Sequence, residues 1–208
     1  MKIAIAAGPS TTGKTSVLRH AIRKLIDRGE RVAFLKIDVQ YAEEDEILAA
    51  VQNAARAGWE SVKFYFMIGL PTETDEDLDG IVRLANELFA RGRRFSKRHV
   101  QLNVSVSTFV PKPHTPFQWM GQAPIEEVRR KQAYLAQGLR KRGITLKAHD
   151  PGTSQLESAF ARGDATLGRV IEKAVDLGCR FDGWTEAFDY HKWTEAFAAC
   201  GIDLQACA

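Results

Sequence analysis

Residues 61–75 read Ser-Val-Lys-Phe-Tyr-Phe-Met-Ile-Gly-Leu-Pro-Thr-Glu-Thr-Asp, and this stretch decides the fold class. Residues 61–70 are rich in aromatic and branched apolar side chains, a composition suited to a pleated, half-buried strand. Pro71 to Asp75 then supplies a turn and a helix start, with Thr74 or Asp75 as the cap. Over residues 77–90, Leu78, Ile81, Val82, Leu84, Ala85, Leu88 and Phe89 form an inner face at helical spacing. The stretch is one βα unit.

The same unit recurs in both directions. Downstream, residues 101–110 alternate Leu102, Val104 and Val106 against Asn103, Ser105 and Ser107, then enter a loop with Pro111, Pro113 and Pro116. Residues 126–142 read as a basic amphipathic helix ended by Gly143, and residues 144–148 as a short strand. Three further helices are expected at 153–162, 164–177 and 189–199, with Gly163, Gly178 and Gly201 as closing glycines. Upstream, residues 47–57 form a helix behind the acidic run 42–46. Before it, 2–7 and 31–39 are short apolar strands flanking a helix at 15–27 that ends at Gly29. Strand and helix alternate throughout, which predicts an α/β protein with a parallel sheet of βα units, either open or part of a (β/α) barrel. A change of register near 41–47 marks a seam between an N-terminal βαβ segment, residues 1–45, and the remainder, 46–208.

The first turn of the N-terminal segment is Gly8-Pro9-Ser10-Thr11-Thr12-Gly13-Lys14-Thr15, which satisfies G-x-x-x-x-G-K-[ST] between an expected strand and an expected helix. In such a loop Gly8 and Gly13 let successive N–H groups face a phosphate, and Ser10, Thr11 and Thr12 line the turn. Lys14 adds a point charge, and Thr15 or Ser16 offers a hydroxyl to Mg²⁺. Asp38, at the carboxyl end of the second strand, stands where a carboxylate approaches the metal. The ligands implied are ATP or GTP with Mg²⁺.

Composition bounds the rest. The chain has 208 residues, 45% hydrophobic and 26% charged, which excludes disorder, collagen and coiled coil. A formal charge of +3 names no partner, and no stretch approaches the ~18 apolar residues of a membrane span. Cys179, Cys200 and Cys207 are odd in number and widely spaced, as in a reduced cytoplasmic chain rather than a disulfide scaffold or a metal clip. The cluster Arg91, Arg93, Arg94, Lys97 and Arg98 reads as a solvated loop, with nucleic-acid binding a minor alternative. His114 is the histidine best placed for acid/base or ligand work, although ordinary loop structure is the simpler reading. Asn103, Ser105 and Ser107 share one face, either the wet side of a strand or the lumen of a barrel. Trp-Thr-Glu-Ala-Phe occurs at 184–188 and again at 193–197; on one continuous helix the copies would face opposite sides.

Two resemblances follow from these motifs. Residues 1–40 resemble the opening of metallochaperone-type P-loop GTPases, similar to nickel-insertion and cobalamin-synthesis accessory proteins; a Walker-B strand, an N-K-x-D motif and a Cys-x-Cys site are all missing. Residues 58–203 resemble the carboxyl-terminal half of radical S-adenosylmethionine proteins, in particular those with an N-terminal cobalamin-binding domain. The match is carried by Lys63 to Asp75, by Asn103 to Trp119, by Arg162-Gly163-Asp164 and by Arg180 to Glu186. This resemblance implies a partial (β/α) barrel whose fifth and sixth strands end beside S-adenosylmethionine and a [4Fe–4S] cluster, with Ile68, Gly69, Asn103 and Ser105 on the nucleoside side. The thiolates of C-x-x-x-C-x-x-C are absent, so the resemblance implies a recombined or partial relative without radical activity. The other reading is a small ATP- or GTP-binding protein in which the barrel strands complete the sheet. Both parent classes are enzymes, and neither set of catalytic residues is complete. Half a barrel also leaves open strand edges through which the chain can self-associate.

Overall fold

The computed structural model describes residues 2–3, 32–33, 44–96 and 99–208. The expected phosphate loop at 8–16, the helix at 15–27, Asp38, Lys97 and Arg98 lie outside the described residues. The chain divides into two compact units, Met1–Glu60 with Glu87–Val100, and Ser61–Asn86 with Gln101–Ala208.

In the first unit, β1 (Lys2–Ile3) and β2 (Val32–Ala33) pair in parallel, Lys2 opposite Val32 and Ile3 opposite Ala33. Helix α1 (Glu44–Arg56) buries Ile47, Leu48, Val51, Ala54 and Ala55, one face at helical spacing. It closes at Gly58, where φ is +86° and the Gly58 and Trp59 N–H groups donate back to the Ala55 and Ala54 carbonyls. Trp59 is buried immediately after this cap. Helix α2 (Asp75–Phe95) contributes its last turns to this unit, where Arg56 and Arg94 both lie over the Phe95 ring.

The second unit is built on three parallel strands in the order β3 (Ser61–Ile68), β4 (Gln101–Thr108), β5 (Ile144–Ala148). Each βα unit places its strand beside the previous one, with Ser61 opposite Gln101 and Leu102 opposite Ile144. The β3–α2–β4 connection and the β4–β5 connection through α3 (Ile125–Gly138) step in one direction. The right-handed rule therefore puts both helices on the same face of the sheet. The two helices touch accordingly: Asn86 Nδ2 reaches the Gly138 carbonyl at 3.4 Å and Tyr134 Oη donates to Asp79 Oδ1 at 2.5 Å. Arg130 joins them through Asp75 at 2.7 Å and is held within its own helix by Glu127 at 2.8 Å.

The register sorts the strand side chains. Val62, Phe64, Ile68, Leu102, Val104, Val106 and Thr108 occupy the buried face. The opposite face carries Lys63, Tyr65, Met67, Asn103, Ser105, Ser107, Thr145 and Lys147. There Tyr65 is 53% and Met67 47% exposed, although parallel sheets are normally covered on both sides. The fold is thus α/β with a small open parallel sheet of three strands and, among the described residues, seven α-helices.

The remaining helices form a separate core. Helices α4 (Pro151–Arg162), α5 (Gly168–Asp176), α6 (Tyr190–Ala199) and α7 (Leu204–Cys207), with a 3₁₀ turn at Ala165–Leu167, enclose Leu156, Ala159, Leu167, Val170, Ala174, Cys179, Ala196, Phe197 and Leu204. Asp150, Asp164, Asp189 and Asp203 cap α4, the 3₁₀ turn, α6 and α7 with their carboxylates. The expected 164–177 helix is broken into the 3₁₀ turn and α5.

A further expectation of this region is corrected. Gly178 and Gly201 have the left-handed φ of closing glycines, but Gly163 is extended at −73°. A Cβ there would meet Leu167 Cδ1 at 2.1 Å and the Ala159 carbonyl oxygen at 2.9 Å, so close packing selects this glycine. The two copies of the repeated pentapeptide take different conformations: residues 184–187 lie in a turn with Trp184 exposed, whereas 193–197 lie in α6 with Phe197 buried. Tertiary burial, not local sequence, decides between these conformations. Trp193 stacks edge-on against Phe160, with centroids 5.5 Å apart.

Candidate functional site

The carboxyl ends of parallel strands are where α/β proteins take ligands, because the loops there carry freed N–H groups and are spared from sheet pairing. The β3–α2 turn has that character. Gly69 is buried with φ +80° and Thr72 sits at φ +69°, so the chain reverses through two left-handed residues in four. Phe109 N donates to the Ile68 carbonyl at 2.8 Å, tying the turn to the end of β4. Asp77 folds the first turn of α2 back onto Thr74: its Oδ2 accepts from the Thr74 N–H at 2.8 Å and from the Thr74 hydroxyl at 3.2 Å.

Glu73 holds the turn from inside. Its carboxylate accepts from Gly69 N at 3.0 Å, from Leu70 N at 3.3 Å and from Lys131 Nζ at 2.6 Å. Both charged side chains are 6% exposed. A second acidic oxygen, Glu127 Oε1, stands 3.9 Å from the ammonium. Residue spacing did not point to this pair, which is 58 positions apart. The usable signal was Lys131 on the stripe Val128, Lys131, Leu135 of a helix whose other members are apolar and buried. Thr108, whose Cγ2 lies near Gly69, has a buried Oγ1 without a partner; Gln122, which precedes Ala123, has a buried unpaired Oε1 while its Nε2 donates to the Phe109 and Ser154 carbonyls.

The residues expected to face a nucleoside do not all fall together. Ile68 is fully buried on the helix side of the sheet, and Gly69 is in the turn. Ser105 lies on the open face beside Tyr65, and Ser107 Oγ donates to the Phe66 carbonyl at 3.2 Å. Asn103 belongs to the same face but lies toward its amino end, with its amide donating to Ser61 Oγ at 3.0 Å. Lys63 Nζ stands 4.8 Å from the Tyr65 ring centroid, so the exposed aromatic carries a cation over one face. His114 is exposed at φ +61°, and its N–H donates to the Gln118 side chain. Phe117 packs edge-on against Phe109 at 5.4 Å, and Trp119 faces solvent.

Electrostatics elsewhere in this unit are those of clips. Hydrogen bonds from Arg130 hold the Asp75 and Glu127 carboxyls below their ordinary range, and the hydrogen bond to Asp79 raises the Tyr134 phenol. Burial pushes the Cys179 thiol up. Cys179 is packed in the helical core, Cys200 and Cys207 lie around it, and no group of three or more His, Cys, Asp or Glu suited to a metal ion occurs among the described residues. The cysteines present therefore do not fit an iron–sulfur cluster.

No protein-family model and no solved structure matches the chain. It is 32% identical over 143 residues to the uncharacterized protein MJ0966 of Methanocaldococcus jannaschii, covering 67% of this chain and 29% of that protein. It is 51% identical over 45 residues to the uncharacterized protein MJ0120 of the same organism, covering 22% of this chain and 19% of that protein. The chain thus spans less than a third of either curated relative. No helix among the described residues is long and apolar enough to cross a membrane.

Proposed function

We propose that residues 46–208 are a wall of a radical S-adenosylmethionine type barrel that binds an adenosyl group on its open face without generating a radical. The observation that carries this reading is the consecutive, in-register parallel order β3-β4-β5 with one polar face uncovered, the arrangement of a barrel segment seen from its lumen. Tyr65 offers an exposed ring for stacking a base, with Ser107, whose hydroxyl already donates to the Phe66 carbonyl, and the buried Ser105 on the same face. No step is assigned to a cluster, since the cysteines do not fit one. Titration of the anaerobic protein with 5′-deoxyadenosine or S-adenosylmethionine tests the reading. Tyr65→Ala, an exposed position, should weaken binding about tenfold while leaving the melting temperature unchanged. Absence of any saturable binding to the wild type defeats it.

A second reading concerns residues 1–45. The parallel pairing of β1 with β2 is what a strand, phosphate loop, helix, strand unit requires, and it supports ATP or GTP binding at Gly8 to Ser16 with Mg²⁺ at Thr15 and Asp38. Nucleotide titration with and without Mg²⁺, on the wild type and Lys14→Ala, is the measurement. Equal thermal shifts in the two proteins would remove this reading.

A further inference from the structure

We propose that the β3–α2 turn is a carboxylate-binding site which the chain keeps filled with its own Glu73. The consecutive Gly69 and Leu70 N–H groups converge on one carboxylate, the geometry of a backbone nest, and the left-handed φ of Gly69 produces that convergence. Lys131 Nζ, at 2.6 Å, supplies the charge. These three donors recognise the carboxylate group as such; only the tether makes Glu73 the occupant.

Two further observations place a ligand site here rather than a plain ion pair. The nest lies at the carboxyl end of a parallel strand, and beside Gly69 stands a side chain with unspent hydrogen-bonding capacity, Thr108. Thr108 Cγ2 lies 3.9 Å from the point where a Gly69 Cβ would be, yet Thr108 is 6% exposed and its buried hydroxyl has no partner. Ala123 Cβ lies 3.5 Å from the same point. A small molecule bearing a carboxylate and an adjacent donor or acceptor would satisfy the Thr108 hydroxyl that the protein leaves orphaned. Glu73 is thus an internal ligand that excludes external carboxylates from this end of the sheet.

The test is chemical rescue in the full chain. Glu73→Ala is melted in increasing sodium acetate against sodium chloride at matched ionic strength, beside the wild type and Glu73→Ala/Lys131→Met. Acetate should raise the melting temperature of Glu73→Ala saturably, by about 4 °C at tenfold excess over its dissociation constant, and leave the other two unchanged. If Glu73→Ala is unfolded in chloride, acetate should restore its circular dichroism signal. Equal responses in all three proteins, or none in Glu73→Ala, overturn the proposal. In the wild type, the Gly69 and Leu70 amides should exchange slowly with deuterium; fast exchange at both overturns it independently of any variant.

Discussion

Replacing Lys131 by Met leaves the Glu73 carboxylate buried without its counter-ion, and the cost follows from the geometry. The ion pair is 2.6 Å long and both side chains are 6% exposed, so water screens neither partner. Removing one member of such a pair costs about 3–5 kcal/mol, because the surviving charge keeps its desolvation penalty. The Gly69 and Leu70 N–H groups still solvate the carboxylate, which places Lys131→Met near the lower end, ~3 kcal/mol. For a chain of this length that corresponds to a fall of about 6–12 °C in melting temperature. Glu73→Gln should cost a similar amount by stranding the ammonium, whose next acidic neighbour, Glu127, is 3.9 Å away. The double variant Lys131→Met/Glu73→Gln removes both buried charges and should recover about 2 kcal/mol relative to the sum of the single losses. Urea denaturation followed by circular dichroism gives the cycle. A loss below ~0.5 kcal/mol in Lys131→Met, or strict additivity in the cycle, would refute the claim that this pair is desolvated and coupled.

The other predictions concern the same unit. Gly138→Ala sets a helix-propensity gain of up to ~1 kcal/mol against a Cβ that would stand 2.7 and 2.9 Å from the two methyls of Val82; overpacking of ~1–3 kcal/mol should win. In a Val82→Ala background the sign should reverse, and an unchanged sign argues against the close approach of α2 and α3. Gly69→Ala should cost about 1–2 kcal/mol through its left-handed φ alone, since the new Cβ meets Ala123 at an ordinary 3.5 Å; a neutral result on thermal melting would contradict the turn geometry. The lowered carboxyls of Asp75 and Glu127 stabilise the fold above the ordinary carboxylate range, and that contribution is lost as pH falls through their depressed values. Arg130→Gln should therefore flatten the decline in urea midpoint between about pH 5 and pH 3, and parallel curves would count against the clip.

What the sequence made legible tracks how local each signal is. The strand at 144–148 appears with those bounds, and β3 and β4 each stop two residues short of expectation, where Gly69 and the Pro111 loop end the pleat. Helix starts were equally plain, since capping aspartates and apolar spacing are written within a few residues of one another, but ends were not: the helix expected over 126–142 stops at Gly138 rather than at Gly143, and the one expected over 77–90 runs on to Phe95. Gly163 misled because a glycine after a helix signals a left-handed cap, whereas here contact with Leu167 decides. The two Trp-Thr-Glu-Ala-Phe copies are indistinguishable locally and were separated only by packing. Of the site, Gly69 was readable as a turn, but the Glu73–Lys131 pair needs α3 laid beside the β3–α2 turn, which depends on long-range topology.

The distribution of indoles gives the molecule built-in optical reporters. Of four tryptophans, Trp119 and Trp184 are already in water and their emission should barely move on unfolding. Trp59 is buried in one compact unit, and Trp193 lies against Phe160 in the helical core of the other. A red shift on denaturation therefore sums two separately located events, and replacing either indole by phenylalanine isolates the other. The unlabelled chain can thus reveal, from the wavelength of its own light, whether its two units melt together or in turn.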